Sequence, residues 1–220
     1  MRETSLPFVV KICGITNEED ARIAVDAGAN ALGFNFYPKS PRYVAPERAR
    51  EIIDRTRGEY CKVGVFVNTT EAVLLTVAGA VGLDVLQLHG EGSRAPKLSD
   101  YCIWRSLSGR FEVPEGEADV EAYLLDSATP HFGGSGQAFP WIRAAAFPYC
   151  CIVAGGLDGA NVAEAIETVR PWGVDACSRL ESGPGKKDPV RVRAFVSAAW
   201  KANEALSTSL ADAASEIGSL

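Results

Sequence analysis

The chain has 220 residues, of which 47% are hydrophobic, with a formal net charge of −6 and a pI near 5.1. A chain of this length can bury one large core or two small ones. The acidic balance, and the lack of any basic run longer than Lys186-Lys187, argue against binding to nucleic acid or to a membrane surface.

No apolar stretch approaches the roughly 20 residues that a membrane-spanning helix needs. The first residues, MRETSLPFVVKIC, lack the charged and apolar regions of a signal peptide. The six cysteines lie mostly in apolar runs, without a CxxC pair and with only two histidines in the chain, so we predict neither disulfides nor a zinc site. These features together predict a reduced, cytoplasmic protein.

Short apolar runs alternate with longer helical patterns along the chain. In chain order, strands are predicted at 8–13, 31–36, 62–67, 84–88, 101–106, 121–126, 150–154 and 174–177. Most of them are continuous apolar runs rather than strict alternations, which is typical of parallel strands covered on both faces.

Helical patterns separate these strands. In chain order, helices are predicted after Asn17, from Pro46, after Thr70, near 92–99, near 137–146, after Asp158, and from Pro189 to about Leu206. Asn17, Thr70 and Asp158 are candidate N-terminal caps, and proline suits the first position of a helix. The sequence pattern of residues 108–119 predicts a loop with at most one helical turn.

Eight strands alternating with seven or eight helices predict an α/β fold, the (β/α)8 or TIM barrel. We expect residues 1–206 to form this single catalytic domain. Residues 207–220 would be a C-terminal tail that either extends the last helix or frays. A doubly wound parallel sheet is the structural alternative.

In such a barrel, the chemistry is located where strands end. The first strand ends Lys11-Ile12-Cys13, and alternation places Lys11 and Cys13 on one side. A buried lysine needs a partner charge, and its ammonium would lower the pKa of a nearby thiol, so Cys13 could act as a base or a nucleophile. The alternative is a packed Cys13, with Lys11 reaching out to solvent.

The sixth, seventh and eighth strands also end in candidate residues. Asp126 closes the sixth strand, where burial would suit its carboxyl group to donate a proton, unless it caps a helix or a loop. Gly155 and Gly156 follow the seventh strand, and the small polar Ser178 follows the eighth. Barrels commonly bind phosphate there through backbone N–H groups, and a tight turn is the alternative for the two glycines.

Further polar candidates lie at or after the second, fourth and eighth strands. Arg42, in a proline-stiffened loop, could bind a carboxylate through its guanidinium, although most loop arginines are simply solvated. Gln87 and His89 share one face of the fourth strand, where His89 is either a neutral core residue or a catalytic one. Asp175 could orient a polar substrate group or pair with Lys11.

Eight stretches together resemble the phosphoribosylanthranilate isomerase family of tryptophan biosynthesis, whose members are (β/α)8 barrels: KICGIT, ALGFNFYPKSPRYV, VGVFVN, LQLHG, LLDS, GGSG, VAGGL and ESGPGKKD. Their order and spacing cover nearly the whole chain. The resemblance implies an Amadori rearrangement of N-(5-phosphoribosyl)anthranilate to 1-(2-carboxyphenylamino)-1-deoxyribulose 5-phosphate. It places the general acid, which opens the ribose ring, at Asp126 and the general base, which removes the proton from C2, at Cys13.

The resemblance also implies how the substrate is held. Its phosphate would be bound by Gly134, Gly155, Gly156, Ser178 and Arg179. The other substrate-binding residues would be Arg42 at the anthranilate carboxylate, Asp175 near the anthranilate amine, and Lys11, Gln87 and His89. No metal or organic cofactor is implied, because the imine nitrogen itself accepts the electrons. The expected partner is this small phosphosugar–anthranilate molecule, and the chain would be a monomer or a homodimer.

One departure and three alternatives stay open at this point. Many relatives read Ser-Ser-Gly-Val-Glu after the eighth strand, whereas this chain reads Cys-Ser-Arg-Leu-Glu, so Arg179 could alter that loop or add a phosphate contact. A pentose-phosphate epimerase would require metal-binding histidines. An indole-glycerol-phosphate synthase-like lyase would require a catalytic lysine–glutamate set. A non-catalytic barrel that binds a phosphate ligand is the third alternative. A second, histidine-pathway substrate also stays open.

Overall fold

The computed structural model describes residue 4 and residues 6–90, 99–109, 111–115, 117, 119–126 and 141–217, with residues 210–217 as backbone only. Eight parallel strands hydrogen-bond in chain order, and the eighth pairs with the first, so the sheet is a closed barrel. The strands are β1 (Val9–Cys13), β2 (Ala31–Asn35), β3 (Cys61–Val67), β4 (Val85–His89), β5 (Cys102–Ser108), β6 (Ala122–Asp126), β7 (Cys151–Val153) and β8 (Gly173–Ala176). The predicted (β/α)8 barrel is confirmed, and the doubly wound sheet is wrong because β1 and β8 leave no open edge.

Helices follow most of these strands in the described part of the chain. They are α1 (Glu18–Asp26), α2 (Pro46–Arg55), α3 (Glu71–Val81), α4 (Ile142–Ala145), α5 (Val162–Val169) and α6 (Pro189–Ile217). Two predicted caps are confirmed, since Asn17 Oδ1 accepts a hydrogen bond from the Asp20 N–H and Thr70 Oγ1 accepts one from the Val73 N–H. These bonds satisfy backbone donors that the first turn of a helix leaves free.

Some predicted helix boundaries differ from the structure. Asp158 is not the cap of α5, which begins at Val162; its Oδ1 accepts from the Ala160 N–H and holds a turn before the helix. Helix α6 continues to Ile217, so of the two alternatives for the segment after Leu206 the described residues show extension of the last helix. The predicted helix near 92–99, and most of the segment before α4, lie outside the described residues.

A short hairpin follows β8 and lies against the loop between β1 and α1. A 3₁₀ turn (Ser178–Leu180) leads into β9 (Glu181–Gly183), which pairs with β10 (Lys186–Lys187) in antiparallel fashion. The Thr16 hydroxyl donates to the Gly185 carbonyl at 2.7 Å, and the Lys187 N–H donates to Asp20 Oδ2 at 2.9 Å. These two bonds hold the hairpin beside the end of β1.

Alternation along the strands divides the buried side chains into two clusters. One fills the interior of the barrel and consists of Val9, Ala31, Cys61, Val63, Val85, Cys102, Trp104, Ala122, Leu124, Ile152 and Ala154. The other, which includes Ile12, Leu32 and Phe195, lies between the strands and the helices. Small interior residues make room for larger ones, and a Cβ on Gly33 would lie 2.8 Å from Cys13 Sγ and 3.1 Å from Lys11 Cε.

In the part of the chain that the structure describes, no helix is both long and apolar enough to span a membrane.

Candidate active site

A cavity of about 590 Å³ opens at the carboxyl ends of the barrel strands. Of the residues that the sequence singles out, its wall contains Cys13, Arg42, Gln87, His89, Asp126 and Asp175. The strands β1, β4 and β6 end in Cys13, His89 and Asp126, so closure of the barrel brings these three side chains to one opening. Functional sites of such barrels lie at this face.

Lys11 does not line this cavity but lies in the barrel interior with none of its surface exposed. The register of β1 and β8 places it opposite Asp175, and its ammonium donates to Asp175 Oδ1 at 2.8 Å. Burial by itself lowers the pKa of Lys11, but the Asp175 carboxylate and the Cys13 side chain raise it above its usual value. Of the two roles predicted for Asp175, the structure shows the pairing with Lys11.

The Cys13 thiol lies beside a second thiol, that of Cys177, and the two side chains hydrogen-bond. This bond and burial raise the pKa of Cys13 well above its usual value, although the Lys11 ammonium lowers it. Lys11 therefore lowers the pKa of Cys13, as predicted, but the Cys177 thiol and burial raise it by more. Lys11 is already neutralised by Asp175, which limits the charge that it offers to the thiol.

The pKa of the Cys177 thiol is lowered rather than raised because of its neighbours. Its hydrogen bond with Cys13, the Lys187 ammonium at 3.8 Å and the Arg42 guanidinium lower its pKa to about 7, against the effects of burial and of Glu181. The two thiols thus form one acid–base pair, and the negative charge is favoured on Cys177 rather than on Cys13.

Arg42, Glu181 and Lys187 form an ionic cluster at the edge of the cavity. Arg42 donates to both carboxylate oxygens of Glu181, at 2.8 and 2.7 Å, and the fully buried Lys187 ammonium donates to Glu181 Oε1 at 3.0 Å. Two cations against one carboxylate leave a net positive charge beside Cys177. An anionic group on a ligand would be attracted to this edge of the cavity.

Gln87, His89 and Ser106 form a hydrogen-bonded group on the opposite side. His89 Nε2 lies 2.8 Å from Gln87 Nε2 and 2.9 Å from Ser106 Oγ. Since the amide nitrogen can only donate, the ring accepts at Nε2. Burial, together with the Lys11 and Arg105 charges, lowers the pKa of His89 to about 3, so the ring is neutral at physiological pH.

The predicted phosphate-binding residues line a smaller cavity that adjoins the first. Its wall contains Gly155, Gly156, Ser178 and Arg179, and it shares Asp126, Asp175 and Cys177 with the larger one. Gly155 and Gly156 have φ values of 83° and 69°, which residues with a side chain rarely adopt. Arg179 Nη1 donates to Asp158 Oδ2 at 2.7 Å, and its φ is not positive. Gly134 lies outside the described residues.

The sequence reasoning missed the roles of Cys177, Glu181, Lys187 and Ser106. In the predicted strand 174–177, alternation places Cys177 on the face of Asp175, and that pattern was the available signal. No local pattern marks Glu181 or Lys187, because their partners come from other segments.

Among the residues that the structure describes, no three His, Cys, Asp or Glu side chains lie close enough together to hold a metal ion.

Comparison with known proteins gives one consistent result. Residues 10–198 match the family model described as N-(5'-phosphoribosyl)anthranilate (PRA) isomerase. A relative of that name from Solibacter usitatus is 47% identical over 196 residues, which cover 87% of this chain and 97% of the relative. The crystal structure of phosphoribosyl anthranilate isomerase from Thermotoga maritima has a TM-score of 0.77 and 39% identity, covering 88% of this chain and 99% of that one. A further isomerase structure, in complex with reduced 1-(o-carboxyphenylamino)-1-deoxyribulose 5-phosphate, has a TM-score of 0.72 and 36% identity, with coverages of 88% and 99%.

Proposed function

Because the chain belongs to the N-(5'-phosphoribosyl)anthranilate isomerase family of tryptophan biosynthesis, we propose that it rearranges its substrate by the Amadori route, with Asp126 as general acid and Cys13 as general base. The observation that carries this proposal is the common cavity lined by both residues. They reach it from β1 and β6, so a ligand in the cavity would lie between the two groups.

In the first step, Asp126 donates a proton to the ring oxygen of the ribose. The C1–O bond then breaks, and the anthranilate nitrogen supplies the electron pair that forms the C=N bond of an imine. The protonated nitrogen next accepts the electrons of the C2–H bond, so the reaction needs no separate electron acceptor. Proton transfer of this kind contributes about 10²–10⁴-fold to a rate.

In the second step, the thiolate of Cys13 takes the proton from C2 to give an enolamine, which tautomerises to the ketose product. When the two thiols share one proton, Cys13 is a thiolate only while that proton is on Cys177. Lys11 supports this state, since its ammonium lowers the pKa of Cys13. The neighbouring thiols therefore allow the anion to move toward the substrate.

The two acidic ends of the substrate suit the two cavities. The phosphate fits the smaller one, where the Gly155-Gly156 backbone and the 3₁₀ turn at Ser178 would offer N–H groups. The carboxylate of the anthranilate fits the edge of the larger cavity near Arg42, where the net charge is positive. A ligand of this kind, with a carboxyphenyl group and a phosphate, is bound in the isomerase complex to which this fold is similar.

The test is turnover of freshly made phosphoribosylanthranilate by the purified chain, followed as loss of substrate fluorescence without added metal. Cys13→Ala and Asp126→Asn should each lower kcat about 10²–10⁴-fold, with unchanged circular dichroism. Asp54→Asn, at a surface ion pair with Arg50, is the matched carboxylate control and should keep the wild-type rate.

Full activity in both cavity variants would overturn the assignment of acid and base. A wild-type chain that binds the reduced product analogue but turns nothing over would support the non-catalytic alternative instead.

A further inference from the structure

We propose that Cys13 and Cys177 form a modification site, at which a hydroperoxide converts the two thiols into an intramolecular disulfide. The consequence for catalysis rests on the proposed function, because the disulfide would remove the base. The formation of the disulfide itself does not rest on it.

The two cysteines follow the paired strands at the seam where the barrel closes. In the register of β1 and β8, Lys11 pairs with Asp175 and Ile12 with Ala176, and Cys13 and Cys177 each follow this last pair by one residue. Neighbouring strands lie about 4.8 Å apart, and disulfides span Cα separations of about 4.4–6.8 Å. A Cβ on Gly14, the residue that follows Cys13, would lie 3.0 Å from Cys177 Sγ, so the Cys177 thiol already reaches the end of β1.

Both thiols can be reached by a small oxidant, because each lines the large cavity and neither is fully buried. The charged groups around Cys177 then decide which of the two reacts first. Lys187 and Arg42 face it with two positive charges against the one negative charge of Glu181, whereas Lys11 beside Cys13 is neutralised by Asp175. The anion is therefore favoured on Cys177 rather than on Cys13, in agreement with its lowered pKa, although Glu181 Oε1 lies 3.9 Å from its sulfur.

The chemistry follows from that charge distribution. The Cys177 thiolate attacks the O–O bond of the peroxide, which is reduced; with one proton this releases water and leaves a sulfenic acid on Cys177. The Cys13 thiol then displaces hydroxide from that sulfur, and the thiol proton joins it to form a second water molecule. Two thiols have lost two electrons, and one peroxide has accepted them.

The other cysteines do not combine a position on the cavity with a neighbouring thiol and nearby positive charges. Cys61 and Cys102 belong to the apolar cluster inside the barrel, and burial raises the pKa of Cys61. Cys150 and Cys151 are adjacent in the chain, and burial raises the pKa of each to about 11. Peroxide should therefore react first at the cavity pair.

The experiment treats the reduced full-length protein with a small excess of hydrogen peroxide at neutral pH. We expect the intact mass to fall by two hydrogen atoms per chain, and peptide mapping to find Cys13 linked to Cys177. Isomerase activity should be lost in parallel, and dithiothreitol should restore most of it. Cys150→Ser is the matched control and should form the same link, since it removes an exposed thiol outside the cavity.

Cys177→Ser should not show the mass loss, because the thiol that attacks the peroxide first is absent. Cys13→Ser is a second variant that should abolish the link, in case the first is poorly folded. Sulfinic acid on either thiol without a link, or a link to another cysteine, would overturn the proposal. A link that forms while activity is unchanged would support the site and contradict the role of Cys13 as the base.

Discussion

The Lys11 ammonium donates a hydrogen bond of 2.8 Å to the Asp175 carboxylate inside the barrel, and the two side chains are 0% and 9% exposed. This pair joins β1 to β8 at the seam where the barrel closes. Each partner lies two residues before one of the two thiols, so the pair places opposite charges next to them, although burial raises the pKa of Asp175 to about 7. The same contact therefore links the seam of the barrel to the electrostatics of the site.

Removal of one partner of this pair should be costly. Lys11→Met leaves the Asp175 carboxylate buried without its cation, and we expect the free energy of unfolding to fall by about 3–5 kcal/mol. Lys62→Met breaks the partly exposed ion pair with Asp84, whose side chains are 27% and 26% exposed, and should cost only about 0–1 kcal/mol. Urea unfolding of both variants measures the difference. Equal losses in the two would show that burial of the Lys11 pair has no energetic consequence.

Two glycine substitutions should have opposite effects on stability. Gly33→Ala places a methyl group 2.8 Å from Cys13 Sγ, and such overpacking should lower the free energy of unfolding by about 1–3 kcal/mol. Gly79→Ala, within α3, meets nothing within 4 Å and should raise it by up to about 1 kcal/mol because alanine favours helix. Thermal and urea unfolding test both changes. The Gly33 prediction fails if that variant is as stable as the wild type.

His89 should make the fold sensitive to acid. Its pKa is about 3 in the folded chain against an ordinary 6.5, so below pH 6.5 the unfolded chain binds a proton that the folded one does not. Stability should therefore fall as the pH drops from 6.5 toward 3, by at most about 1.4 kcal/mol per pH unit, and the group should contribute no pH dependence above 6.5. His89→Gln should remove this part of the slope in urea unfolding at several pH values. Identical slopes in wild type and variant would contradict it.

Much of the barrel was predictable because its strands are covered on both faces. Parallel strands of that kind are continuous apolar runs, which stand out from the helical patterns between them. The ends of strands could then be read as candidate positions, and Cys13 and Asp126 do lie on one cavity. Boundaries were less predictable where a turn precedes a helix, as at Asp158, because a short polar side chain can hold either element.

Alternation and strand length are local properties of the chain, so they already specify which side chains stand at the ends of the strands. How those side chains pair depends on the fold. Lys11 and Asp175 are 164 residues apart, and Arg42 and Glu181 are 139 apart, yet barrel closure and the hairpin after β8 bring each pair into contact. Because a thiol's pKa depends on charges within a few ångströms, the preference for an anion on Cys177 over Cys13 exists only once these distant segments meet.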